Sequence, residues 1–179
     1  SIALAAGDLD GDGSDDLVAS SGGTDTVAVA LSLGDGTFAA PVESPAGDSP
    51  RVILVDVDND GTLDVVAANS SSADISIFRN DGTGSLTAAG PFLPSGALSP
   101  RTIRSADMDA DGFSDLIVGN TVSIGVLRNL GDGNFAEASI TLSGARRSNA
   151  LTTGDVDGDG DVDVLGSYGR PANVYACLL

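Results

Sequence analysis

Four nine-residue stretches place aspartate at positions 1, 3, 5 and 9 and glycine at position 6: Asp8-Leu-Asp-Gly-Asp-Gly-Ser-Asp-Asp16, Asp56-Val-Asp-Asn-Asp-Gly-Thr-Leu-Asp64, Asp107-Met-Asp-Ala-Asp-Gly-Phe-Ser-Asp115 and Asp155-Val-Asp-Gly-Asp-Gly-Asp-Val-Asp163. Alternate carboxylates in a tight loop can turn inward onto one centre, and glycine permits the backbone reversal. Hard, oxygen-only ligands select Ca²⁺. The candidate ligands are Asp8, Asp10, Asp12 and Asp16; Asp56, Asp58, Asp60 and Asp64; Asp107, Asp109, Asp111 and Asp115; and Asp155, Asp157, Asp159 and Asp163. The position 7 backbone carbonyls of Ser14, Thr62, Phe113 and Asp161 are expected to join them, for four Ca²⁺ sites in all.

The opening of each loop, Asp-x-Asp-x-Asp-Gly, also starts an EF-hand, which needs a bidentate Glu at position 12. That position holds Ala19, Ala67, Val118 and Gly166. The runs around it, Leu17-Val-Ala-Ser, Leu63-Asp-Val-Val, Leu116-Ile-Val-Gly and Val162-Asp-Val-Leu, are short and rich in β-branched residues, so each loop leads into a strand rather than a helix.

The loops begin at residues 8, 56, 107 and 155, a period that indicates a solenoid or propeller. Each period divides into strand-like runs. In the second they are Arg51–Val55, Leu63–Ala67, Asp74–Phe78 and Ser85–Ala89; in the first, Ile2–Ala6, Leu17–Ala19 and the alternating Thr26–Leu33 precede a fourth run. Four antiparallel strands per repeat make one propeller blade. The expected fold is therefore all-β, with blades at 1–48, 49–98 and 99–147 and a partial blade at 148–179. The last repeat stops after its third run, Asn173–Cys177, so a ring would not close here in the usual way. Completion would come from a larger propeller, from self-association or from an unusual four-bladed ring.

Gly34-Asp-Gly-Thr-Phe38 and Gly131-Asp-Gly-Asn-Phe135 read as hairpin turns, with each Phe a packing anchor. Asp35 and Asp132 read as turn residues rather than a further metal site. Ser49-Pro50-Arg51 and Ser99-Pro100-Arg101 read as extended links between blades, and Arg146-Arg147 as an exposed basic pair.

The formal charge is −18, from 26 acids against 8 Arg and no Lys. Most of the acids belong to the loops, and four Ca²⁺ ions would still leave a balance that argues against a nucleic-acid partner. No apolar run approaches the ~18 residues of a membrane helix. Cys177 is the single cysteine and there is no His, which excludes a disulfide framework and a Cys-His nucleophile; it reads as a small apolar residue.

With the loops and the Gly-Asp-Gly-Thr-Phe38 turn in view, the chain resembles the FG-GAP and VCBS repeat family, found in the propeller of integrin α subunits and in many secreted microbial proteins. The turn departs from that pattern in the second repeat, where Leu86 stands near the expected Phe. The resemblance implies structural Ca²⁺ in the hairpin between the first and second strands of each blade. It also implies an extracellular or cell-surface location and an adhesion or interaction role toward a protein or glycan ligand. Lectin activity is the alternative, disfavoured by the lack of Trp and by only two Tyr, Tyr168 and Tyr175. Catalysis, as in part of a polysaccharide lyase, is less expected, because Glu43 and Glu137, the only Glu, fall in outer strands.

Overall fold

A computed structural model describes residues 2–92, 99–121, 123–138, 148–168 and 173–177, and within them the secondary structure is strand, turn and loop, without helix. The first sheet comprises β1 (Ile2–Gly7), β2 (Asp16–Ser21), β3 (Thr26–Ala30) and β4 (Val42–Pro45). The second comprises β5 (Pro50–Val55), β6 (Asp64–Asn69), β7 (Asp74–Asn80) and β8 (Leu86–Phe92). The third comprises β9 (Thr102–Ala106), β10 (Asp115–Gly119), β11 (Ile124–Asn129) and β12 (Phe135–Ala138). The fourth has three strands, β13 (Ser148–Gly154), β14 (Asp163–Tyr168) and β15 (Asn173–Cys177). Every sheet is antiparallel in sequence order, as in propeller blades. The basic pair Arg146-Arg147 lies outside the described residues.

One register recurs in all four blades. Gly7 pairs with Asp16, Val55 with Asp64, Ala106 with Asp115 and Gly154 with Asp163. Each aspartate loop is thereby the connection of the first hairpin, and its ninth residue is the first residue of the second strand. The first strands are innermost, with β1 packed on β5, β5 on β9 and β9 on β13.

The core lies between blades. One cluster joins Leu9, Val18, Val27 and Val29 of the first blade to Val52, Val65, Ala67 and Phe78 of the second. Another joins Val55, Val57, Val66, Ala68, Ile75 and Ile77 to Ile103, Leu116, Val118, Leu127 and Phe135. A third joins Ile117, Ile124 and Val126 to Leu151 and Val164. Strands covered on both faces, β6 and β10, are buried at every position, whereas β2, in the first blade, alternates. The period-2 pattern thus reports how many neighbours a blade has.

Position 2 of the loop contributes to this core although the loop is otherwise polar. Leu9 and Val57 are fully buried in the following blade, and Met108 packs against the third cluster. Val156, with no later blade among these residues, is 53% exposed. The backbone follows the side chain. Asn80 Nδ2, at the end of β7, donates to the Leu9 carbonyl of the preceding blade at 2.7 Å, and Asn129 Nδ2, at the end of β11, donates to the Val57 carbonyl at 3.0 Å.

Two expectations are corrected. Phe38 is not a packing anchor: it is 42% exposed, whereas Phe135 is buried. Phe135 packs on the blade before it, as Leu86 does, and Phe38 has no earlier blade among these residues to receive it. The third run of the first repeat also ends early, at Ala30 rather than Leu33, because the Ser32 N–H turns to Asp16 Oδ1 and only an isolated bridge to Phe38 follows.

The Asn80 side chain makes four hydrogen bonds: Nδ2 donates to the Leu9 and Leu63 carbonyls, and Oδ1 accepts from the N–H groups of Gly82 and Gly84. Asn80→Ala would leave several of these backbone groups without partners, at a cost on the order of 3 kcal/mol. Urea unfolding should detect this loss, and a change within experimental error would contradict the role assigned to this side chain.

Candidate functional site

In each loop the backbone is held open by carboxylates acting as acceptors. Oδ2 of the first Asp accepts from the position 6 Gly N–H: Asp8 from Gly13 at 2.9 Å, Asp56 from Gly61 at 2.9 Å, Asp107 from Gly112 at 2.9 Å and Asp155 from Gly160 at 3.1 Å. Those glycines have φ of 88°, 91°, 91° and 98°, the left-handed region that the motif's glycine was expected to supply. Position 4 is also left-handed, including at the non-glycine residues Asn59 and Ala110.

The ninth Asp is buried in every loop, with Asp16, Asp64 and Asp163 wholly inaccessible and Asp115 nearly so. Its Oδ2 accepts from the position 2 N–H across the loop: Leu9 at 2.8 Å, and Val57, Met108 and Val156 at 2.9 Å. In the first three blades Oδ1 accepts from the third-strand end, Ser32 at 2.7 Å, Asn80 at 2.8 Å and Asn129 at 2.7 Å. One carboxylate therefore ties the loop, the second strand and the turn after the third strand together.

The structure brings positions 1, 3 and 9 together. Asp8, Asp10 and Asp16; Asp56, Asp58 and Asp64; Asp107, Asp109 and Asp115; and Asp155, Asp157 and Asp163 each offer oxygen atoms within 4.8 Å of one another. Position 5 stands apart from these groups: Oδ1 of Asp12, Asp60, Asp111 and Asp159 accepts from the N–H of Ser14, Thr62, Phe113 and Asp161 at position 7. Asp35 and Asp132 accept from Thr37 and Asn134 within their own turns and, among the described residues, join no such group.

Three converging carboxylates fit a hard divalent cation in donor type. The second loop gives the fit its sharpest test, since Asp56 Oδ1 and Asp58 Oδ1 are buried and have no hydrogen-bond partner. Buried carboxylate oxygens without donors call for a positive charge. Part of that charge comes from arginines in the third strands: Arg79 reaches Asp58 at 3.6 Å, and Arg128 pairs with Asp109 and, at 3.5 Å, with Asp111. Leu31 precedes Ser32 in the first blade as Arg79 precedes Asn80 in the second, so among the described residues no third-strand guanidinium faces the first loop.

Burial pushes the carboxyls of Asp64 and Asp115 above the ordinary aspartate range. Their backbone N–H donors oppose this, and the neighbouring loop aspartates reinforce it. Asp60 is held below that range by the Thr62 hydroxyl and N–H, and Asp35, Asp81 and Asp132 by the equivalent donors of their own turns.

Sequence reasoning found the aspartates but missed the asparagine clamps and the arginines facing the loops. The available signal was the repeated Arg-Asn at 79–80 and 128–129, each just before a glycine turn.

A family model described as an FG-GAP-like repeat matches residues 8–67, 56–118 and 107–166. No curated protein matches the chain. Among solved structures, the chain is similar to a lectin of Agrocybe aegerita described as recognising non-reducing terminal N-acetylglucosamine, with a TM-score of 0.65 and 23% identity over 96% of this chain and 50% of the lectin. It is also similar to a structure of BBS1N in complex with ARL6DN, with a TM-score of 0.69 and 17% identity over 97% and 52% of the two chains. At these identities the likeness concerns the fold, and the chain spans about half the length of both structures.

Scaffold and ligand roles separate by mutation. Asp64→Asn removes one of two acceptors for buried N–H groups and should cost about 1–3 kcal/mol in urea unfolding with EDTA present. Asp60→Asn keeps an acceptor for Thr62 and should leave metal-free stability nearly unchanged; equal losses would refute the distinction. The pH response without metal also has a definite sign. The raised carboxyls of Asp64 and Asp115 bind protons more readily in the folded state, so they favour folding below the unfolded value and lose that contribution as pH rises through their folded pKa. Acidification from neutrality toward about pH 4 should therefore raise the melting temperature in EDTA. Below that, titration of Asp35, Asp60, Asp81 and Asp132, whose pKa values are lowered, should reverse the trend.

Proposed function

Because the chain belongs to the FG-GAP-like repeat family, we propose that it is a calcium-stabilised propeller module of a secreted or cell-surface protein, non-enzymatic and serving to present a binding face. The observation that carries this is the gathering of the same three carboxylates in all four loops. The orphaned oxygens of Asp56 and Asp58 add to it. When bound, Ca²⁺ would supply charge neutralisation. The residues that would hold it are the first, third and ninth aspartates, with the fifth and the position 7 carbonyl as further candidates.

The residues themselves argue for a structural role. The ninth Asp is already committed to bracing the hairpin, so a cation beside it would stiffen a joint rather than activate a substrate. Glu43 and Glu137 lie in the outer strands β4 and β12, away from the inner surfaces where a reaction site would be enclosed.

The energetic scale is set by affinity. With a Kd of about 100 μM, in the range of extracellular modules, 1 mM Ca²⁺ stabilises by ~1.4 kcal/mol per site, or ~6 kcal/mol for four sites. That is comparable to the whole stability of a domain. A second reading, carbohydrate binding, is favoured by the lectin among the structural relatives; a glycan array in saturating calcium tests it.

Melting in 1 mM calcium and in EDTA tests the first reading. The transition should rise by roughly 10 °C or more with calcium, and magnesium should substitute poorly because it demands tighter octahedral geometry. Coincident melting curves in calcium and EDTA would overturn it.

A further inference from the structure

The first strands of the four blades converge on a cavity of about 260 Å³ lined by Ala3, Leu4, Arg51, Val52, Arg101, Thr102, Ile103, Arg104 and Ala150. The register explains its shape. The fifth residue before each aspartate loop is Ala3, Arg51, Thr102 and Ala150, so one level of the axis meets three small side chains and one arginine. Arg101, one residue earlier in its blade, and Arg104, two residues later, add charge to either side of that level.

In a chain of charge −18, three arginines share this cavity and, among the described residues, no acid lines it. Among the described residues no carboxylate pairs with Arg51, Arg101 or Arg104; the Arg104 guanidinium donates only to its neighbour's carbonyl, Ile103, at 2.8 Å. Surface arginines in so acidic a chain would ordinarily find acids, as Arg79 and Arg128 do. Arg51 and Arg101 instead follow prolines in a repeated Ser-Pro-Arg, whose serines Ser49 and Ser99 sit at φ of 60° and 55°. The left-handed serine and fixed proline set the direction in which each arginine enters the axis.

We infer that this axial cavity is a binding site for the carboxylate of a compact acidic ligand. Guanidinium groups match a carboxylate in planar, two-point fashion, and the buried Thr102 lines the same space. The cavity holds the liquid volume of roughly eight or nine waters at ~30 Å³ each, enough for one small acid. The loop aspartates do not defeat the attraction. Arg51 and Arg101 lie five and six residues before their loops, about 16 Å or more along a strand at ~3.3 Å per residue, which is roughly two screening lengths at physiological salt. Long polyanions would still meet the acidic rim, so the site selects single charged groups. This goes beyond the calcium reading, because the cavity uses none of the loop carboxylates, and each can fail without the other.

The test follows the arginine Nε–Hε resonances by NMR, together with calorimetry, at neutral pH in calcium, using D-glucuronate, succinate and D-glucose as probes. Glucuronate or succinate should shift the Arg51 and Arg101 signals saturably, while glucose should not. Binding of glucuronate alone assigns a sugar acid, succinate alone an acyclic acid, and both a carboxylate site of wider scope. Arg51→Ala and Arg101→Ala, which remove exposed side chains, should each weaken binding roughly tenfold, the loss of one charge-assisted hydrogen bond, with the melting temperature kept. Arg51→Lys should recover only part of the affinity. Absence of saturable shifts with either acid, equal response to glucose, or unchanged affinity in both alanine variants would overturn the assignment.

Discussion

The structure depends on a buried carboxylate that accepts two backbone N–H groups from different parts of its blade. Asp16, Asp64 and Asp115 each join a loop crossing to the end of a third strand. A buried, charged acceptor is costly unless its lone pairs are filled, and here the backbone fills them in part. What remains is a negative charge close to two more carboxylates. The constraint that makes the hairpin rigid is the same one that creates the demand for a cation.

Geometry and charge then divide the labour within a loop. The first aspartate shapes the loop by taking the position 6 N–H, the fifth closes the turn onto position 7, and in the first and fourth loops the third accepts from the position 5 N–H. In the second and third blades the third aspartate, Asp58 or Asp109, faces a guanidinium. Those loops carry a tethered cation that, among the described residues, the first loop lacks, so identical motifs need not have identical affinity for a free ion.

Much of this was legible in the sequence. The period and the four runs per repeat led to the blades, and the count of aspartates led to the loops, because both are local patterns. What escaped was contact between repeats. Asn80 reaches back 71 residues to Leu9, and nothing in Arg-Asn-Asp-Gly announces that distance. Phe38 and Phe135 look alike in sequence, yet their burial differs because, among these residues, only Phe135 has a blade before it. The apolar residue at position 2 was visible all along as Leu9, Val57, Met108 and Val156, but its meaning needs the next blade to be seen.

That position 2 residue also gives the repeats a sense of direction. At the first two junctions its side chain enters a hollow formed by the following blade and its carbonyl is gripped by that blade's asparagine, whereas Leu86 and Phe135 pack backward without such a grip. These two junctions therefore join unlike surfaces, as in a head-to-tail assembly. Repeats of this design are fixed in orientation: inverting one would break both joints it makes.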